Sequence, residues 1–346
     1  MGVGMGIADE VRARRRGVRL SAQRLFTNRD AERAAFENKL LDLRSLRVRH
    51  PDWAVDLRAP RNNVLGFYGY GGIGKSRLSQ ELEHSFTGTA SKGRARVAVR
   101  VDFSDPIARD AELYLFALRA GMASLAKSFP AFDTALTLYW ERQHPGTSMA
   151  DFVRNQSVLG GLADREVLAR NLREVVQGLL DNAGLLVGGT SRVLGLTWTK
   201  VRDARTMRHL ERTCPFFEGC MAEEDLDELR LHLPLLLAWD LSQLQRNADV
   251  DVAVFLDTFE HVTNGRGAPR TGDLEDAIVR SAFFLRCVTF VVTGRNKLDW
   301  AAAHRSASLT FAGVDDWPGL GDVPDDHGDQ HAVGVLSPRD CDDYLA

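Results

Sequence analysis

The segment Gly69-Tyr70-Gly71-Gly72-Ile73-Gly74-Lys75-Ser76 constrains this chain more than any other. It has the spacing G-x-x-x-x-G-K-[ST], in which glycines accept positive φ and let backbone wrap closely around phosphate oxygens. That chemistry needs a strand before the loop and a helix after it, so that the amides of roughly Gly72 to Ser76 converge at the positive end of a helix. Val64-Leu65-Gly66-Phe67-Tyr68 reads as the buried strand, and Lys75 to Phe86 as the helix. Lys75 then supplies a mobile charge to the β- and γ-phosphates, and Ser76 offers a hydroxyl to Mg²⁺. The expected phosphate-binding run is Gly69, Gly71, Gly72, Ile73, Gly74, Lys75 and Ser76, with Arg77 beside it.

A second strand is expected at Arg96–Asp102 from its alternation, which makes strand, loop, helix, strand the opening of an α/β domain with a parallel sheet. From Ile107 to Arg246 the apolar spacing is mostly helical, broken at Pro145-Gly146, Gly160-Gly161, Gly188-Gly189 and Pro215. Residues of about 106–248 therefore read as a large helical insertion between the second and third strands. Strands resume at Val252–Leu256 and Val288–Val292, with a short one at Ala332–Leu336 after the loop Gly313–Gln330. Ahead of the sheet, Asp30 to Leu46 has helical periodicity and Asn28 or Asp30 to cap it. The domain is expected to run from 25 to 346, behind a basic arm at 1–24 that carries Arg12, Arg14, Arg15, Arg16 and Arg19.

A net charge of -3 argues against general polyanion binding; the basic arm is the one segment suited to nucleic acid or a membrane surface, and a solvated, partly ordered arm is the preferred reading of it. Cys214, Cys220, Cys287 and Cys341 form no C-x-x-C pair, and Met1 to Gly6 lacks both a signal core and the Ser or Thr of a myristoylation site. The apolar stretches near Leu179–Leu196 and Leu231–Trp239 are interrupted by polar residues or too short to span a bilayer. A cytoplasmic protein with reduced thiols and no membrane span is the expectation.

The other half of a phosphate site is an acid at the end of an apolar strand. Val252-Ala253-Val254-Phe255-Leu256-Asp257 ends that way and runs into Thr258-Phe259-Glu260. Asp257 is expected to hold Mg²⁺ through water, and Glu260 to polarise an attacking water. Thr289-Phe290-Val291-Val292-Thr293-Gly294-Arg295 sets a polar residue and a cation at the carboxyl edge of the sheet, where Arg295 can report a γ-phosphate. Asn296-Lys297-Leu298-Asp299 spells the guanine-reading N-K-x-D. Three residues separate it from its strand, however, Leu298-Asp299-Trp300-Ala301 reads as a helix start, and position 260 is Glu where D-x-x-G needs Gly. ATP is preferred over GTP on these grounds.

These segments in order resemble the STAND-class P-loop ATPases, which include the NB-ARC and NACHT families. The loop resembles their G-x-G-G-I-G-K-[ST], Leu256-Asp257-Thr258-Phe259-Glu260 the Walker B segment of bacterial members, and Val292-Thr293-Gly294-Arg295 their T-[SG]-R sensor. Leu25-Phe26-Thr27-Asn28-Arg29-Asp30-Ala31-Glu32 is similar to the entry segment that packs on adenine, which implies nucleotide contacts for Phe26 and Arg29. Leu336-Ser337-Pro338 with Tyr344-Leu345 resembles the start of the lid helices, about 337–346.

The resemblance implies an ASCE-type P-loop fold. It implies a slow ATP hydrolase using Lys75, Asp257, Glu260 and Arg295, with ATP or ADP and Mg²⁺ as cofactors. It further implies a signalling switch that self-associates or takes a protein partner in the ATP state, in bacterial regulation or defence. The chain stops at Ala346, inside the first lid helix of that family, so either it is a piece of a longer protein or the switching machinery is absent. Two other classes remain open: a metabolic or nucleic-acid P-loop enzyme whose helical insertion is a substrate lid, and an interaction scaffold that binds ATP without hydrolysing it.

Overall fold

The computed structural model describes residues 29–88, 93–126, 128–146, 204–263, 271–321 and 328–334. The basic arm, Phe26, Asn28, Cys341 and the segment resembling lid helices lie outside the described residues, as does 147–203 within the expected insertion.

Five strands form one sheet in the order β2-β3-β4-β1-β5: β1 (Val64–Tyr68), β2 (Ala95–Asp102), β3 (Val250–Asp257), β4 (Thr289–Gly294) and β5 (Gln330–Ala332). Every pairing is parallel, with Leu256 of β3 beside Val292 of β4, and Gly66 of β1 between Val292 and Gln330. The strands read as unbroken apolar runs because both faces are covered. All eight residues of β3 and all six of β4 are buried. Each observed strand lies within two residues of its expected bounds except the last, which occupies Gln330–Ala332 where Ala332–Leu336 was expected. There, Gln330 is held by its own side chain, which accepts from Leu298 N at 2.8 Å and donates to Leu298 O at 3.2 Å.

The pleat sorts the strand residues onto two layers. Leu65, Phe67, Ala253, Phe255 and Val291 face α1 (Asp30–Arg49) and α2 (Lys75–Gly88), meeting Phe36, Leu40, Leu78, Leu82 and Phe86. The helix α1 begins after Arg29, which makes no side-chain cap, and Asp30 lies in its first turn, so Asp30 is not the cap. On the opposite face Val64, Val101, Val252, Val254, Leu256, Phe290 and Val292 join a larger core. That core takes in α3 (Ala111–Gly121), α4 (Pro130–Gln143), α5 (Ala204–Thr213), α6 (Phe217–Ala222) and α7 (Leu226–Asn247). Two helices after β3 follow, α8 (Glu260–Thr263) and α9 (Thr271–Phe284). The described part of the expected insertion is therefore a layer packed on the sheet. A parallel β2–β3 pair needs a crossover of this kind. Gly121 lets α3 approach β2: a Cβ there would lie 2.6 Å from Val99 Cγ2.

One polar contact between these helices carries a pH dependence. The helix α4 starts with Pro130 and has no side-chain cap of its own, and Asp240 of α7 accepts instead from the amides of Ala131 at 3.2 Å and Phe132 at 2.9 Å. Burial pushes the Asp240 carboxyl up to about 8 against the pull of those amides. Its folded pKa thus exceeds its unfolded one, so its contribution is complete below the unfolded value and is lost as pH rises through about 8. Unfolding free energy from urea titration is expected to fall as pH rises from the ordinary carboxylate range toward about 8, with a slope approaching about 1.4 kcal/mol per pH unit, and to level off above that. The slope should vanish in Asp240→Asn.

Among the described residues no helix is long and apolar enough to cross a membrane. Cys214, Cys220 and Cys287 are buried free thiols.

Candidate functional site

In a parallel sheet all the strands end at one edge, and here that edge collects the tip of β1, the acid of β3 and the tip of β4. The loop after β1 turns on glycines with positive φ: Gly69 at 152°, Gly72 at 80° and Gly74 at 95°. Gly69 is also crowded, since a Cβ would meet Val333 O at 3.0 Å. At Gly72 nothing lies within 4 Å, so only its backbone angle demands glycine.

Lys75 is the first residue of α2 and is buried. Its Nζ folds back over the loop and donates to Gly69 O and Tyr70 O, both at 2.8 Å. Burial lowers its pKa first of all; Glu260 and Asp257 pull it up, and Arg295 pushes it down. The ammonium is therefore held in a site that penalises charge and favours an anion beside it.

Ser76 Oγ donates to Asp257 Oδ1 at 3.0 Å across 181 positions of sequence. The same oxygen accepts from the hydroxyl of Thr293 and from Thr258 N–H at 2.9 Å, and Asp257 is only 3% exposed. The other oxygen, Oδ2, faces Arg100 Nη1 at 3.8 Å. Arg100 is fixed in turn by Glu83 and by Ser79 Oγ at 3.0 Å. Glu260 opens α8, and Arg295 Nε donates to its Oε1 at 3.0 Å. The Glu260 side chain is 11% exposed and that of Arg295 63%, so one is anchored and the other reaches outward. The second oxygen of Glu260 is buried with no hydrogen-bond partner among the described residues.

The expected residues Lys75, Ser76, Asp257, Glu260 and Arg295 thus meet at one edge. Arg29 lies near the loop by way of β5: it pairs with Glu32 at 2.9 Å and donates to Gly334 O at 3.2 Å, while Val333 N donates to Tyr68 O at 2.7 Å. Arg77 points to the exposed flank of α2, paired with Glu81 at 2.5 Å. The expected helix start at Leu298–Ala301 does not form: Ala301 N donates to Leu320 O, and the next helical turn is a 3₁₀ turn at Ala303–Ala307. Asp299 instead meets His304 Nε2 at 3.4 Å and Arg305 Nε at 3.3 Å.

Three participants were not singled out from the sequence: Arg100, Asp102 and Thr258. The sequence did carry one signal for Asp102, because β2 ends Val101-Asp102 much as β3 ends Leu256-Asp257. Among the described residues no group of three or more His, Cys, Asp or Glu side chains stands in metal-binding geometry. The pair Ser76 hydroxyl and Asp257 carboxylate, both hard oxygen donors at hydrogen-bond distance, suits a small divalent cation that keeps most of its waters.

The fold and site together define an α/β protein with a five-stranded parallel sheet and a glycine loop, lysine, serine and acid gathered at its carboxyl edge. Comparison of the chain with family models, with curated proteins and with solved structures finds no match.

Proposed function

We propose that the chain is an ASCE-type P-loop NTPase module of the STAND kind, which binds ATP and hydrolyses it slowly as a nucleotide-dependent signalling switch. The observation that carries this reading is the contact of Ser76 with Asp257, which joins the glycine loop to an acid-tipped strand 181 positions away. In this reading the loop amides and Lys75 bind the β- and γ-phosphates, and Ser76 and Asp257 hold Mg²⁺. The bound ion neutralises phosphate charge and fixes the phosphate geometry. Glu260 accepts the proton of the attacking water, and Arg295 lies beside it to meet the γ-phosphate.

Slow turnover agrees with the ion pair: while Arg295 occupies Glu260 Oε1, that base is engaged. ATP is favoured over GTP because Asp299, the base-reading acid of N-K-x-D, is spent on His304 and Arg305. The lid-enzyme reading loses support from the described helices of 106–248, which pack on the sheet face. A bacterial regulatory or defence role, a cytoplasmic setting and an ATP-state partner follow from the resemblance alone.

The test is nucleotide content and turnover of the purified chain. ADP retained through purification, Mg²⁺-dependent ATP hydrolysis on the scale of minutes per turnover, and a roughly 100-fold lower rate in Glu260→Gln with binding intact are expected. Fast transfer to a small-molecule acceptor would overturn the switch reading, and unchanged turnover in Glu260→Gln would remove Glu260 from the chemistry.

A further inference from the structure

Thr258 has φ of 60°, the one described residue other than glycine in the left-handed region. A β-branched side chain is a poor fit there, so other contacts must hold it. Two contacts are made in that conformation. Thr258 N–H turns back onto Asp257 Oδ1 at 2.9 Å, and Thr258 Oγ1 donates to Asp102 Oδ1 at 2.9 Å. Asp102 is the register partner of Asp257 in the neighbouring strand, and its Oδ1 also accepts from Ser104 N at 2.9 Å. The tie is thus anchored at the ends of two strands and passes through the strained residue to the buried carboxylate.

We propose that Asp102 is a positioning residue for Asp257, acting through Thr258; the proposal rests on the reading of Asp257 as the acid that holds the divalent ion. Three donors converge on Oδ1 of Asp257, and they fix its plane so that the carboxylate meets an arriving ion in one orientation. Ser76 must turn its hydroxyl toward the ion when it binds, and Thr293 and Thr258 remain. Without Asp102, Thr258 loses the hydrogen bond that holds its hydroxyl and can relax out of the left-handed region, which takes its N–H off Asp257.

The experiment uses the full chain with ADP and Mn²⁺ as the probe, following free Mn²⁺ by electron paramagnetic resonance, with ADP affinity in EDTA measured in parallel. Outer-shell partners of a metal ligand contribute about 10- to 100-fold to affinity. Asp102→Ala is expected to weaken Mn²⁺ binding about 10-fold while leaving ADP affinity in EDTA unchanged. Asp102→Asn, which keeps an oxygen acceptor for Thr258, should stay within about 2-fold of the parent on the same scale. Thr258→Gly accepts the φ of 60° without strain and so folds readily, and it should match Asp102→Ala because the tie is gone. Lower thermal stability with unchanged Mn²⁺ affinity in both Asp102→Ala and Thr258→Gly would make the tie merely structural and overturn the proposal, provided Asp257→Ala abolishes Mn²⁺ binding. If Asp257→Ala also binds Mn²⁺ like the parent, the reading of the site itself fails, and the positioning role falls with it.

Discussion

Replacement of Lys75 by Ala is expected to weaken ATP and ADP binding by about 100-fold, the value of a lost charge-assisted contact to phosphate in a partly desolvated site. Isothermal titration at constant ionic strength measures it. The same substitution should leave the nucleotide-free chain no less stable. Lys75 is buried, its ammonium donates to the two loop carbonyls Gly69 O and Tyr70 O, and burial lowers its pKa. A lysine whose folded pKa lies below its unfolded one detracts from stability at low pH, and that penalty fades as pH rises through the folded pKa. The parent should therefore gain stability with pH where Lys75→Ala does not. Equal nucleotide affinity in the two proteins would contradict the proposed role of the loop.

The largest stability loss is expected far from the site, at Arg119 of α3. Its side chain is 1% exposed and donates through Nε to Asp133 Oδ1 at 2.7 Å and through Nη2 to Asp133 Oδ2 at 3.0 Å. Asp133 Oδ2 also accepts from Phe129 N at 2.9 Å, and the guanidinium lies 4.5 Å from the centre of the Phe129 ring. Arg119→Met leaves the Asp133 carboxylate buried with its counter-ion gone, at a cost of about 3–5 kcal/mol. Set against total stabilities of about 5–15 kcal/mol, that is a large fraction of what holds a domain together. Urea titration should show the loss, and Arg119→Met with Asp133→Leu should recover most of it, because an apolar pair needs no counter-ion. Nucleotide affinity measured on whatever fraction remains folded should not change, since the pair lies in the helical layer away from the carboxyl edge.

The glycine loop and the strands around it were legible in the sequence because each is encoded within a few neighbouring residues. Gly69, Gly72 and Gly74 announce backbone angles that only glycine adopts freely, and all three have positive φ. Runs such as Val252–Leu256 announce burial on both faces, and β3 is buried along its whole length. The acid at the end of that run, and the Thr-Gly-Arg at the end of the next, follow from the same reading.

What tertiary structure decided is which ends meet. Strand order in a parallel sheet depends on pairing across long crossovers, and no local pattern in β1, β3 or β4 states that β4 lies between the other two. That order sets Thr293 against Asp257, and Ser76 against the same oxygen. The left-handed turn at Thr258 was hidden for a related reason: threonine disfavours it locally, and one of the two contacts made there comes from another strand, at Asp102. The helical layer was visible as periodicity, but its position on the sheet was not. An apolar stripe says that a helix must be covered and leaves open what covers it. By itself the sequence determined the glycine backbone of the loop and the buried strands beside it. The meeting of that loop with Asp257, Glu260 and Arg295 at one edge came from pairing between residues far apart in the chain.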